Sequence, residues 1–136
     1  MAGKQSGLGW TTLSVDNSSG VAKDIRTDVH EFDFSTPRAV QDVTGVDKSA
    51  MERLLLLSDF QINLSGTFDP DADKSHDVFS TVSSSDVQRT VSLGIASKTL
   101  ANECVFTDYA LTRASGGEFT WKTTGVLANG ALPTWA

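Results

Sequence analysis

A strict alternation of apolar and polar residues between Phe60 and Phe68 is the feature that most constrains the fold. The apolar positions come at every second residue and are Phe60, Ile62, Leu64, Gly66 and Phe68. Successive side chains of a β-strand point to opposite faces, so this pattern predicts a strand with one face in a core and one polar face. The fold must therefore provide a sheet.

The rest of the chain divides into short predicted strands separated by turn-forming residues. The predicted strands cover residues 10–15, 21–23, 29–34, 39–44, 87–96, 103–113 and 118–123. Turns are expected at 16–20, 97–102 and 115–117, a single helical turn after Asp24, and a short helix at about 75–82. Seven or eight short strands with one helix predict a mainly β fold, a β-sandwich or small barrel with one short flanking α-helix, a long loop and terminal arms.

Length and composition favour a single domain over residues 1–136. The chain is 39% hydrophobic and 21% charged, and it is long enough to bury a core. We expect residues 1–9 to form a flexible N-terminal arm and residues 125–136 a C-terminal arm. No apolar stretch approaches the length of a signal peptide core or a membrane span, which predicts synthesis and retention in a cytoplasm until the protein joins its assembly.

Four consecutive leucines, Leu54 to Leu57, lie within a connection that a small domain does not need. One face of a lone strand cannot bury all four, so residues 36–58 suggest a surface that another chain completes. Residues 50–57 have two interpretations. A capping box at Ser49–Glu52 would start a short helix, whereas an extended segment is favoured because the apolar run lacks a helical stripe.

The charged and metal-ligating residues exclude several classes of function. The net charge of −6, with Lys and Arg scattered singly, lacks the basic patch of a nucleic-acid-binding protein. One cysteine and two histidines are too few for a zinc site, and Cys104 is expected to be a small buried hydrophobe. The acidic run Asp69–Asp73 fails as a calcium loop, since Lys74 and Ser80 stand where glycine and a carboxylate are needed. No nucleophile, base and orienting group can be assembled, so no catalytic, cofactor or metal site is predicted.

Three tryptophans leave a second kind of binding open. Trp121 alternates with Phe119 and is expected in the core, whereas Trp10 and Trp135 lie near the termini and would anchor to a neighbouring subunit. The alternative is a carbohydrate- or protein-binding β-sandwich that uses Trp10, Trp121 or Tyr109 as a stacking platform.

Several short motifs, taken in order, resemble those of one family. They are Val15–Gly20, Asp24–Arg26, Asp42–Gly45, Gly66–Asp69, Ser75–Phe79 and Ser115–Gly117, followed by Phe119, Trp121 and Gly125. In order and spacing they resemble the major tail tube protein of long-tailed, siphovirus-type bacteriophages, over about residues 11–135.

The resemblance implies a structural virion protein and not an enzyme. Such proteins form rings, usually hexameric, that stack into a hollow, acidic-lined tube for DNA passage, so the implied partners are other copies of the chain, a tape-measure protein, a tail terminator and a distal tail protein. It implies no cofactor and no membrane contact. A terminator or distal tail protein of related fold is the alternative role. The expected subunit-interface residues are Trp10, Val46, Met51, Leu54, Leu55, Leu56, Leu57 and Trp135.

Overall fold

Antiparallel strands dominate the structure, a computed structural model that describes residues 3–4, 6–131 and 133–136. The strands are β1 (Trp10–Asp16), β2 (Ala22–Asp24), β3 (Val29–Ser35), β4 (Arg38–Asp42), β5 (Arg53–Ser58), β6 (Gln61–Thr67), β7 (Arg89–Ile95), β8 (Lys98–Arg113) and β9 (Phe119–Leu127). The helix α1 spans Ser75–Phe79, and 3-10 turns span Gly7–Gly9 and Arg26–Asp28. The mainly β fold with one short helix that the sequence predicts is confirmed.

Seven of these strands form one sheet in the order β2-β1-β7-β8-β9-β6-β3, and β4 and β5 form a separate two-stranded ribbon. Within the described residues, no hydrogen-bonded ladder joins the two edge strands β2 and β3. The sheet therefore does not close into the small barrel that was one of the two predicted forms. The sheet nevertheless curls, because the Trp10 ring of β1 lies 4.7 Å from the Phe32 ring of β3. The curl gives the sheet an enclosed inner face and an outer face.

The core fills the inner face of the curled sheet. Strand alternation places one row of apolar side chains inside from each of β1, β6, β7, β8 and β9. The buried apolar residues are Leu13, Val15, Ile25, Val29, Phe60, Ile62, Leu64, Val78, Phe79, Val91, Leu93, Leu100, Cys104, Phe106 and Trp121. Each large side chain of this set stabilises the fold by roughly 1.5–3 kcal/mol through burial. The core is therefore complete without β4 and β5.

Helix α1 is anchored to the sheet by buried polar side chains at each end. At its start, the Asp28 carboxylate accepts a hydrogen bond from the Ser75 backbone N–H at 2.9 Å. Beyond it, the buried Arg89 guanidinium donates to the carbonyl oxygens of Val78 and Asp16, both at 2.9 Å. Burial raises the pKa of Asp28 and lowers that of Arg89. These contacts press Phe79 into the core, where its ring lies 5.3 Å from that of Trp121.

The structure corrects the predicted turn at 97–102. Strand β8 begins at Lys98, opposite Ile95, so the β7–β8 connection has only two residues, Ala96 and Ser97. Ala96 has a φ of 54°, a left-handed conformation that residues other than Gly, Asn and Asp rarely adopt. The sequence at this position therefore has none of the residues that predict a two-residue hairpin turn.

The terminal arms lie partly against the sheet. Residues 1, 2 and 5 of the predicted N-terminal arm fall outside the described residues, while Gly9 accepts a backbone hydrogen bond from Ala96. The predicted C-terminal arm begins inside β9, which runs to Leu127, and Trp135 pairs with Leu100 of β8. Cys104 is fully buried as predicted, and burial raises the pKa of its thiol to about 12.

Candidate assembly surface

The predicted connection at 36–58 is a β-hairpin that continues the β3–β6 pair beyond the sheet. Pairing advances one residue for one residue from Ser35 opposite Gln61 to Arg38 opposite Ser58. Pro37 has no N–H to give to a ladder, but its carbonyl accepts a hydrogen bond from the Asp59 backbone N–H at 2.9 Å. The sheet therefore ends while the ribbon continues outward. The extended interpretation of the leucine run is confirmed, and the helical one is wrong.

Both faces of this hairpin expose apolar side chains. Val40 and Leu55 lie directly opposite each other on one face, while Leu54 lies opposite Gln41 on the other. All residues of β4 and all four leucines of β5 are exposed, and Leu57 reaches 91%. A two-stranded hairpin is at best marginally stable alone in water, and each of its free edges presents unpaired backbone groups. The segment of residues 36–58 is called the hairpin below.

A β-bulge explains how four leucines fit into one strand. Between the Arg38–Ser58 and Val40–Leu55 pairs, β5 has two residues, Leu56 and Leu57, opposite the single residue Ala39 of β4. An extra residue on one strand bends that strand and increases the local twist. The hairpin consequently leaves the sheet with its own direction instead of continuing straight.

The far end of the hairpin is ordered by Thr44. Its hydroxyl donates to the Asp42 carboxylate at 2.6 Å and accepts from the Glu52 backbone N–H at 2.9 Å. The same Thr44 hydroxyl and its backbone N–H, as donors, hold the pKa of Asp42 below its ordinary value. A further bond runs from the Val43 N–H to the Glu52 carbonyl at 3.0 Å. The hairpin is thus a formed element, with Val46 fully exposed at its tip.

Six of the eight predicted interface residues come together on the hairpin. They are Val46, Met51, Leu54, Leu55, Leu56 and Leu57. The other two lie elsewhere: Trp10 is half-buried against Phe32, and Trp135 is half exposed with its ring 5.8 Å from that of Phe34. The sequence analysis did not predict the exposed Val40, because residues 38–42 have no alternation of apolar and polar residues that could indicate it.

The outer face of the sheet is polar and acidic. Strand register places the carboxylates of six residues on it, Asp16, Asp24, Glu31, Asp33, Glu103 and Asp108, together with Lys122. A line of hydrogen bonds crosses three strands there, because Thr124 donates to Asn63 and Asn63 donates to Asp33, both at 2.9 Å. Carboxylates outnumber cations on this face within the described residues. It is therefore a hydrated, anionic surface.

The three rings considered as a stacking platform for sugars, Trp10, Trp121 and Tyr109, are fully or partly buried. Trp121 is fully buried, and its indole N–H donates to the Thr67 carbonyl at 2.8 Å. Tyr109 is half-buried beside the Phe79 ring, and burial raises the pKa of its hydroxyl. Among residues 3–4, 6–131 and 133–136, no cluster of three His, Cys, Asp or Glu side chains could hold a metal, and no helix is long and apolar enough to cross a membrane.

Two solved structures share this fold along nearly the whole chain. One is a chain described as "Tail of empty GTA particle computed with helical refinement, C6 symmetry", with a TM-score of 0.75, 18% identity, and coverage of 98% of this chain and 99% of that one. The other is described as "Virion of native gene transfer agent (GTA) particle", with a TM-score of 0.68, 16% identity, and coverage of 98% and 99%. No protein-family model and no curated protein sequence matches the chain. At these identities the likeness shows a common fold.

Proposed function

We propose that this chain is the subunit of a phage-type tail tube, a structural and non-catalytic protein of the virion. Six copies of the chain form each ring, and the rings stack into a hollow tube through which DNA passes. The observation that carries this proposal is the hairpin, an ordered element with apolar side chains exposed on both faces. The common fold with a chain from a tail particle of C6 symmetry supports it.

The energetics of the hairpin call for a neighbouring copy. Leu54, Leu55 and Leu57 are each more than half exposed, so the lone chain leaves apolar area in water that obligate interfaces normally bury. Covering an exposed leucine contributes at most roughly 1–2 kcal/mol, and a ring repeats that gain at every interface. Because both faces are apolar, the hairpin fits between two surfaces better than on top of one.

The outer face of the sheet fits the wall of the conduit. Its carboxylates, among them Glu31, Asp33 and Asp108, would repel the phosphates of DNA and so prevent adhesion. The net charge of −6 on each copy acts in the same direction. DNA would therefore pass along this face without specific binding.

The proposal implies contacts at each end of the tube and in its interior. A tail terminator and a distal tail protein would cap the stack of rings, and a tape-measure protein would occupy the lumen during assembly. Residues 36–58 would reach the adjacent subunit, and the terminal segments, 1–9 and 128–136, would add contacts between copies. Trp10 and Trp135 are the side chains proposed for those contacts.

Replacing Leu55 and Leu56 together by serine tests the proposal. Both side chains are exposed in the lone chain, so the free energy of unfolding should change by less than about 1 kcal/mol. Assembly should be lost, because the hairpin would lose two of its exposed apolar side chains. Thermal unfolding and negative-stain electron microscopy of the same preparation measure the two effects.

The matched control is Leu111→Ser, which removes a similarly exposed leucine from β8, away from the hairpin. This control should still form tubes. If the double variant assembles like the unmodified chain, the hairpin is not the assembly surface. If the double variant fails to fold, its leucines belong to the core of the single chain.

A further inference from the structure

The β-bulge of the hairpin is held by one side chain. The Arg38 guanidinium donates two hydrogen bonds to the Leu56 carbonyl, from Nε at 3.1 Å and from Nη2 at 2.9 Å. Leu56 is one of the two residues that lie opposite the single residue Ala39, where the regular ladder is interrupted. Arg38 thus hydrogen-bonds the backbone carbonyl that the bulge removes from the regular ladder.

Two backbone hydrogen bonds outside the β4–β5 ladder lie to either side of the bulge. Towards the sheet, the Asp59 N–H binds the Pro37 carbonyl, and towards the tip, the Val43 N–H binds the Glu52 carbonyl. Neither of these bonds fixes the carbonyl that the bulge displaces. The bulge also borders a groove of about 220 Å³, which Leu56 and Leu57 share with Leu127, Gly130 and Ala131. The bulge is therefore the joint at which the hairpin could change direction.

We propose that Arg38 is a positioning residue for assembly, which fixes the twist of the hairpin at its bulge and so determines the surface that the leucines reach. This inference rests on the proposed function, since it assigns the residue that aims the hairpin at the neighbouring copy. A planar guanidinium suits the role because its donors have a rigid geometry that the ammonium of lysine lacks.

The test compares the full chain with Arg38→Met, Arg38→Lys and Arg53→Met. Arg53→Met removes the same charge from the same hairpin but lies beyond the bulge, opposite Asp42. Hydrogen exchange of the amides of residues 54–57 reports the bulge in the unassembled chain, and electron microscopy reports the yield and helical twist of tubes. Thermal unfolding establishes that each variant folds.

We expect Arg38→Met to speed exchange at residues 54–57 and to raise the concentration needed for tube growth by about tenfold, the effect of losing one charge-assisted hydrogen-bond pair. Arg38→Lys should recover part of the loss, and Arg53→Met should change exchange little. Tubes that Arg38→Met still forms should differ in twist.

Two results would overturn the inference alone: tubes of unchanged yield and twist from Arg38→Met, or equal losses from Arg38→Met and Arg53→Met. If the unmodified chain forms neither rings nor tubes, both the proposed function and the positioning role are rejected. Unchanged hydrogen exchange at residues 54–57 in Arg38→Met would likewise overturn the inference, because it would mean that the Arg38 hydrogen bonds do not constrain the bulge.

Discussion

Gly66 shows how one missing side chain lets two parts of the fold meet. It lies on the inner face of β6, and a Cβ atom at this position would be 1.8 Å from the Asp28 carbonyl oxygen. That separation is far below any tolerated contact, and the opposing atom belongs to the backbone. Glycine is therefore required for the 3-10 turn ahead of β3 to approach β6, and this approach also brings the Asp28 carboxylate to the start of α1.

Gly66→Ala should destabilise the chain by at least about 2 kcal/mol, because the backbones of β6 and the Asp28 turn would have to separate. Urea unfolding measures the loss. Gly125→Ala is the matched control, since its Cβ would meet Phe106 Cε2 at 3.0 Å, and a side chain can shift. Equal losses from the two variants would contradict the argument that backbone contact makes Gly66 necessary.

The strands show what could and could not be predicted from the sequence. Alternation predicts β6, and the two glycines of Ser115–Gly117 predict the turn there, where the structure gives Gly117 a φ of 100°. The β7–β8 turn is predicted too late and too long, at 97–102, since Ala96 takes a positive φ without being Gly, Asn or Asp. The bulge at Leu56 and Leu57 is visible only in the strand pairing, because a run of identical residues has no periodicity that could reveal it.

Ala96→Gly should stabilise the chain by up to about 1 kcal/mol, because glycine adopts the left-handed conformation of this turn without the penalty of a Cβ. Ser97→Gly serves as its control and should be neutral or destabilising, since Ser97 has no positive φ. Chemical unfolding measures the free energy of unfolding of both variants and of the unmodified chain. A destabilised Ala96→Gly would mean that the side chain of Ala96, and not its backbone, determines the turn.

At the scale of the element, the sequence indicates that the hairpin is exposed but does not indicate its shape. Four adjacent leucines indicated that residues 36–58 serve another chain, and the structure shows the lone chain leaving them exposed. Their arrangement on two faces, and the role of Arg38, depend on pairing between residues distant in sequence. Such pairing cannot be read from a local pattern.

The whole molecule combines a complete core with two dissimilar surfaces. The curled sheet buries its inner face without help from the hairpin, so the chain is expected to fold before it assembles. In the proposed assembly, the hairpin would offer its exposed apolar area to a neighbour, while the outer face of the sheet would stay hydrated and acidic. This separation of surfaces is what a subunit needs if it is to join its neighbours on one side and let an anion pass on the other.

Electron microscopy of the purified, unmodified chain over a range of concentrations tests the central claim most directly. The account predicts rings or tubes of one uniform diameter above a threshold concentration, with six-fold symmetry in end-on views. A chain that remains monomeric at every concentration, with its leucines still exposed, would contradict it.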